Sequence, residues 1–235
     1  MEAMGYSQNK APFLALARSV PNATFRTISG LPLKEMRQNI QRLLTWSSSL
    51  GEDIERPDEA EKYGVIQLKR DEWELSRIRP DIHPLHRIRG ISVLMARAYK
   101  QSSGLEQYLL KSLGSRQEGF SNLLKLLCVQ GDDSRMFIGP QRAHEVAINV
   151  VLPFAFARAE LKGDTGLSDS ILNVFISAVK AGENHITNQM YQQFGMQKAS
   201  LKTACQQQGL LHLYKERCQD LRCADCPIAS EVARF

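Results

Sequence analysis

The chain has 235 residues and a formal net charge of +5 at pH 7, with 43% hydrophobic and 23% charged residues. This composition excludes wholesale disorder, because the apolar fraction is large enough to form a core. The most apolar stretch, residues 146–159, is shorter than a bilayer span and contains Pro153, and no basic and apolar leader follows Met1. We therefore expect a cytoplasmic protein without a membrane partner, whose positive charge is compatible with phosphate or acidic partners.

Apolar residues recur at helical spacing along most of the chain, and alternating strand patterns are scarce. In chain order the stripes are Leu33, Met36, Ile40, Leu43 and Leu44; Ile88, Ile91, Met95 and Ala98; Phe120, Leu123, Leu124 and Leu127; and Leu167, Ile171, Phe175 and Ala178. Ser168 is placed to cap the last of these helices. The pattern predicts an all-α fold, an irregular multi-helix bundle with a cysteine-containing C-terminal segment.

Residues 51–62, with the sequence GEDIERPDEAEK, form a strongly acidic run. Such a run is typical of a solvated connection between helices, so we expect it to be exposed. It marks the one weak boundary in what we otherwise predict to be a single, mostly helical domain over residues 1–235.

Basic side chains are concentrated between residues 77 and 97, where Pro80 and Pro84 favour an extended segment that leads into a helix. A helix start with free backbone donors and nearby arginines favours an anion, and arginine contacts to phosphate dominate nucleic-acid affinity. The sequence therefore offers a nucleic-acid or anion site at Arg77, Arg79, Arg87 and Arg89.

A structural interpretation of the same residues is open as well. Arg79 and Arg87 are equally suited to internal ion pairs with Glu145 or Glu183 that tie the segment to the core. No recognised nucleic-acid module accompanies the charges, which favours this structural role.

A very apolar helix is predicted after Gly139 and Pro140, over residues 141–160, with a kink or break at Pro153. Its polar side combines with a later polar pair in a predicted polar core cluster of Arg142, Glu145, Asn149, Glu183 and Asn184. Buried polar groups need partners, so this cluster fits a structural anchor. The alternative is an enzyme of unknown reaction that uses Arg142 and Glu145.

Three of the five cysteines lie close together in the segment CQDLRCADC. A Cys-x2-Cys pair with a nearby third cysteine is a recognised metal-ligand spacing, so Cys218, Cys223 and Cys226 are candidate ligands for zinc or an iron–sulfur cluster. Cys205 and His212 are weaker candidates for a fourth ligand, because an unbroken helix would hold them far from Cys218. Reduced structural thiols are the alternative.

Five strings, taken in order, resemble one family. They are GYSQNKAPFLALARSVP (5–21), RIRPDIHPLHRI (77–88), AINVVLPFAFA (147–157), GENHITNQM (182–190) and QQQGLLHLYKERC (206–218). Together they resemble the C-terminal half of a bacterial family of unknown function, DUF2851. Ile82 is a departure, since the family tends to carry asparagine there.

The resemblance implies that this chain is a fragment or one half of a larger architecture. The N-terminal half of the family carries Gly-Pro-Asp-Phe and Val-Glu-Ile-His strings similar to divergent nuclease cores, and neither string occurs in this sequence. The resemblance thus implies a partner, either that N-terminal half or a separate protein.

We interpret the chain as an α-helical interaction or accessory domain that binds rather than catalyses, with a metal-stabilised C-terminal cysteine knuckle as a further hypothesis. The rival hypotheses are a nucleic-acid-binding accessory domain that works with a nuclease-like partner and the enzyme described above.

Overall fold

The structure is a computed structural model, and it describes residues 8–79, 83–101, 104–113, 118–132, 134–226 and 228–229. Pro80 and Ile82 lie outside these residues. The chain forms two compact units, residues 1–151 and 152–235. The acidic run at 51–62 lies within the first unit.

The first unit is built mainly from helices. These are α1 (Lys10–Ser19), α2 (Asn22–Thr27), α3 (Leu33–Ser47), α4 (Asp58–Lys62), α5 (Pro84–Gln101), α6 (Leu105–Leu113), α7 (Gly119–Leu127) and α8 (Pro140–Val146). Short 3-10 helices span Ile28–Gly30 and Arg70–Glu72, and a π-helical segment spans Ala147–Val151. The predominantly helical fold predicted from the sequence is confirmed.

The core of the first unit lies where α3 packs along α5. The predicted stripe on α3 is buried, with Met36 and Ile40 fully inaccessible, and α5 contributes Ile88 and Ala98 to the same core. Each large apolar side chain buried there stabilises the fold by about 1.5–3 kcal/mol. This packing fixes the position of the side of α3 that faces away from Met36 and Ile40 relative to the start of α5.

A small antiparallel sheet, which the sequence pattern did not predict, packs against α5. Its strands are β1 (Val129–Gln130) and β2 (Met136–Ile138), with Val129 opposite Ile138. Gly90 permits the contact, because a Cβ atom there would lie 3.0 Å from Cγ1 of Ile138 and 3.1 Å from Cβ of Phe137. Strands this short carry too few residues to show a two-residue period.

The acidic run is less exposed than expected. Its second part forms α4, in which Ala60 is fully buried, and Pro57 just before the helix is buried as well. The acidic side chains occupy the solvent side, while these two small apolar residues pack inward. The run is therefore an amphipathic segment, which its many charged residues made hard to recognise in the sequence.

Pro153 lies just after the π-helical segment, where the sequence predicts a kink or break. Proline removes a backbone donor and its ring clashes with the carbonyl four residues earlier. A π-helical turn is wider than an α-helical turn and accommodates such a defect. The boundary between the two compact units falls between Val151 and Leu152, at the end of this segment.

The second unit contains α9 (Leu152–Lys162), α10 (Thr165–Ser177), α11 (His185–Gln193) and α12 (Ala204–Leu213), with a 3-10 turn at Lys198–Ser200 and a π-helical segment at Tyr214–Cys218. Met190, Tyr191 and Leu210 form a small buried core between α11 and α12. The cap of α10 is Asp164, whose carboxylate accepts a hydrogen bond of 3.0 Å from the Leu167 amide. The expectation that Ser168 caps this helix was wrong, because Ser168 lies inside the first turn, where its hydroxyl donates to the Thr165 carbonyl.

None of the described helices combines the length and apolar character that a membrane crossing requires.

Candidate functional site

A cleft of about 1010 Å³ opens on the first unit, and four arginines and a histidine line it. We call it the arginine cleft, after Arg37, Arg42, Arg70, His83 and Arg89. Because three separate segments supply these residues, the cleft exists only in the folded unit.

The outer face of α3 forms one wall of the arginine cleft. Arg37, Gln38, Gln41 and Arg42 line it at helical spacing, on the side of α3 away from the buried Met36 and Ile40. The guanidinium and amide groups on this wall are hydrogen-bond donors suited to anionic oxygens.

Residues at the start of α5 form another part of the cleft. His83 precedes α5, and its Nδ1 accepts a hydrogen bond of 3.3 Å from the Leu85 amide, while its carbonyl accepts one of 2.9 Å from the His86 amide. His83 therefore caps the helix, and its Nε2 carries the proton of the neutral ring. Partial burial, and then the positive charge of Arg70 and the nearby His86, lower the pKa of His83.

A loop of the acidic run forms the remaining rim of the cleft through Glu52, Asp53 and Glu55. Its one described ion pair with the cleft joins Arg42 Nη2 to Glu55 Oε2 at 3.8 Å, and both side chains are largely exposed. A pair this long and this exposed contributes little free energy. The carboxylates of the rim therefore compete only weakly with an external anion for the arginines.

The arginines of the cleft differ in how they are engaged. Arg37 makes a two-pronged ion pair with Asp132, which raises the pKa of Arg37 and lowers that of Asp132. Arg70 and Arg89 are exposed, and within the described ranges no ion pair is formed by either of them. These two are therefore the charges most open to a ligand.

The structure separates the four arginines predicted as an anion site. Arg89 lines the cleft, and Arg77 and Arg79 are exposed on the segment between the cleft residues Leu75 and His83. Arg87 is buried with 5% of its surface exposed, and its Nη1 donates a hydrogen bond of 2.9 Å to the Phe137 carbonyl. Arg87 thus anchors the β1–β2 hairpin to α5, as does the neighbouring His86 through its Nε2 and the Met136 carbonyl.

Sequence reasoning missed Arg37, Arg42 and Arg70 as cleft residues. The available signal was the polar face of α3, where Arg37, Gln38, Gln41 and Arg42 recur at helical spacing opposite the apolar stripe. Arg70 carries no such signal, because its place in the cleft depends on packing between segments far apart in the sequence.

Three residues of the predicted polar core cluster, Arg142, Glu145 and Glu183, form ion pairs. Arg142 Nη1 pairs with Glu145 Oε2 at 2.8 Å within the same helix. Asn149 is exposed on the π-helical segment of the first unit. In the second unit, Glu183 pairs with Lys198 at 2.9 Å and with Lys180 at 3.3 Å.

Asn184 has a capping role in the second unit. Its side chain accepts a hydrogen bond from the Thr187 amide, and the Thr187 hydroxyl accepts one from the Asn184 amide. This reciprocal arrangement satisfies free donors at the start of α11.

The C-terminal cysteines are all free thiols. Burial, and then the neighbouring Cys226 and Cys223, raise the pKa of the Cys218 thiol. Within the described part of the chain, however, no three His, Cys, Asp or Glu side chains are grouped to hold a metal ion. The weaker candidates lie on α12, where Cys205 is half-buried and His212 is exposed.

Comparison with protein families gives a match over residues 1–185 to a family described as a protein of unknown function, DUF2851. The chain belongs to the DUF2851 family. No curated protein and no solved structure matches it.

The DUF2851 match includes every residue that lines the arginine cleft. Cys218, Cys223 and Cys226 lie beyond the matched residues. The residues that line the cleft therefore lie inside the matched range of this chain. Zinc or iron–sulfur binding by the cysteines stays a prediction.

Proposed function

We propose that this DUF2851 chain is a binding domain whose first unit holds a phosphate backbone, in the form of a nucleic-acid strand, in the arginine cleft. The observation that carries the proposal is the convergence of Arg37, Arg42, Arg70 and Arg89 on one open cleft of about 1010 Å³. Arginine presents planar, charged donors that match phosphate oxygens, and such contacts supply most nucleic-acid affinity.

The exposure of Arg70 and Arg89, and their lack of a described ion pair, favour binding of an external ligand. Both guanidiniums are exposed on the cleft, and the described residues give neither of them an ion pair. A phosphate can therefore approach them without first breaking an internal ion pair. His83 lies on the same cleft and adds a neutral hydrogen-bond donor beside Arg70.

The residues that line the cleft also indicate whether the sequence of a bound strand would be recognised. Among the described residues that form it, none is Phe, Tyr or Trp, so the cleft provides no stacking platform for bases. Contacts to phosphate position a nucleic acid but carry no sequence information. The proposed binding is therefore independent of sequence.

A salt titration with a matched variant tests the proposal. Fluorescence anisotropy of a labelled single-stranded DNA would be measured between about 50 and 200 mM salt. We expect affinity to fall steeply with salt for the unchanged protein. The double variant Arg70→Gln, Arg89→Gln should bind about 10- to 100-fold more weakly at low salt. Its plot of log affinity against log salt should be shallower by about 1.4, since each contact to a single-strand phosphate contributes about 0.7 to the slope.

The control is Arg18→Gln, which removes an exposed arginine of the first unit that does not line the cleft. Its affinity should stay within about twofold of the unchanged protein, because an isolated surface charge contributes little. A flat salt response of the unchanged protein, or equal losses in the cleft and control variants, would refute the proposal.

A further inference from the structure

Two cysteines near the end of the second unit, Cys223 and Cys226, lie in a tight turn of the chain. The Cys226 amide donates a hydrogen bond of 3.2 Å to the Cys223 carbonyl, which closes a four-residue turn. Such a turn brings its first and last Cα atoms within about 7 Å. A disulfide requires a Cα separation of about 4.4–6.8 Å, so the backbone already lies near the geometry of a bond between these two residues.

The two thiols of this turn differ in accessibility. Cys223 is exposed, whereas Cys226 is buried with 7% of its surface accessible. A small reagent would therefore reach Cys223 first. Cys226 is then held nearby, in the same turn, as the thiol that completes the reaction.

The third cysteine of the segment is engaged elsewhere. Cys218 ends the π-helical segment and packs, partly buried, against the core formed by Met190, Tyr191 and Leu210. Its carbonyl accepts a hydrogen bond of 3.2 Å from the Leu221 amide. Cys218 is thus fixed to the body of the unit, whereas the other two thiols share the turn.

We propose that Cys223 and Cys226 form a reversible disulfide when the protein meets a low-molecular-weight disulfide such as oxidised glutathione, which makes this turn a redox-sensitive site. The Cys223 thiolate attacks one sulfur of glutathione disulfide and releases one glutathione thiolate. The Cys226 thiolate then attacks the Cys223 sulfur and releases the second glutathione. Two protein thiols are oxidised, and one small disulfide is reduced to two thiols.

The bond is suited to reversal. It closes a loop of only four residues, so it constrains the unfolded chain far less than a long-range disulfide does. Exposure of Cys223 leaves its sulfur open to attack by a reducing thiol. The pair therefore fits a site that changes state with its surroundings better than a permanent structural link.

The test uses the full chain. The protein is first reduced, and the amount of metal bound per chain is then measured. The protein would be incubated with oxidised glutathione, the remaining thiols blocked with N-ethylmaleimide, and the product digested with trypsin for mass spectrometry. Cleavage after Arg217, Arg222 and Arg234 places Cys218 in peptide 218–222 and the other two cysteines together in peptide 223–234.

We expect peptide 223–234 to be two hydrogens lighter than its reduced form and unlabelled, and peptide 218–222 to carry one N-ethylmaleimide. Cys218→Ser should leave this result unchanged. Cys226→Ser should instead retain one glutathione on Cys223, because the thiol that would displace it is gone.

Three results would overturn the inference. The first is a disulfide that joins peptides 218–222 and 223–234. The second is obtained with the protein that carries no substitution: either Cys223 and Cys226 are both fully labelled by N-ethylmaleimide, or Cys223 keeps its glutathione. The third is a bound metal, about one per chain, whose removal is needed before the pair reacts, since this would favour the metal-site prediction for the same residues.

Discussion

The guanidinium of Arg87 donates a hydrogen bond of 2.9 Å to the carbonyl of Phe137, fifty residues later in the chain. This contact joins α5 to the β1–β2 hairpin inside the first unit. Because the Arg87 side chain is buried, the contact is shielded from water, and its loss would leave the Phe137 carbonyl without this donor.

Replacement of Arg87 by methionine should therefore destabilise the first unit. We expect Arg87→Met to lower the free energy of unfolding by about 1.5–3 kcal/mol, as is usual for a buried hydrogen bond from a charged donor. Urea denaturation followed by circular dichroism measures the change. The exposed Arg89→Met is the control and should stay within about 0.5 kcal/mol, so equal stabilities of the two variants would contradict this role for Arg87.

Neutralising the acidic rim should strengthen binding in the arginine cleft. The double variant Glu52→Gln, Glu55→Gln removes two carboxylates that line the cleft and compete weakly for its arginines. We expect DNA affinity to rise about twofold to tenfold at low salt, with the gain fading as salt screens the exposed charges. Anisotropy titration measures it.

The control for the rim is Asp58→Asn with Glu61→Gln, which makes the same change in net charge on α4, outside the cleft. Its effect on affinity should be clearly smaller. Equal gains in the two double variants would mean that net charge alone, and not the position of the rim, sets the affinity.

The lowered pKa of His83 should make stability depend on pH. Because the folded pKa lies below the unfolded value of about 6.5, the unfolded chain binds the proton more readily. The folded state is therefore favoured fully above that pH and loses stability as the pH falls through the folded pKa. In urea denaturation, His83→Gln should flatten this decline below about pH 6.5.

A glutamine in place of the exposed His212 should leave the pH dependence of stability as it is in the unchanged protein. If His83→Gln and the unchanged protein showed parallel pH profiles, the burial of His83 and the charge of Arg70 would not be acting on its titration.

The second unit depends on Gln207, whose side chain is 2% exposed. Its Oε1 accepts a hydrogen bond of 2.9 Å from the Ala181 amide, and its Nε2 donates one of 3.2 Å to the Ala181 carbonyl. Gln207→Leu should destabilise this unit by about 1–3 kcal/mol, because both backbone groups lose their partner. Hydrogen exchange of the Ala181 amide should accelerate accordingly.

The same substitution at the exposed Gln189 on α11 provides the comparison. Gln189→Leu should change neither the stability nor the exchange rate at Ala181 appreciably. Loss of protection in both variants would indicate a general effect of the added leucine.

The helical fold was predictable because local periodicity determines it. Met36, Ile40 and Leu43 recur on one side of α3, and all three are buried. Burial of such a stripe needs no knowledge of distant residues. The β1–β2 hairpin was not predictable, since its strands are too short to show a period of two.

The candidate site was predictable only in part. Arg87 and Arg89 differ by two positions, which places them on different sides of a helix. Arg87 lies four residues before Ile91 of the predicted apolar stripe, so the stripe indicated that its side faces the core, but grouping the arginines by closeness in sequence left this out. Arg87 proved to be buried and Arg89 exposed on the cleft. Arg70 joins the cleft only through tertiary packing, so no local pattern indicates it.

The close approach of α5 and the hairpin at Gly90 gives a distant position influence over ligand recognition. Any side chain at residue 90 would press on Phe137 and Ile138. The turn between the two strands carries Asp132, which holds the guanidinium of Arg37 at the cleft. A substitution at residue 90 would therefore change how Arg37 is presented to a ligand, although residue 90 does not line the cleft. A genetic screen for altered binding should recover it beside the arginines themselves.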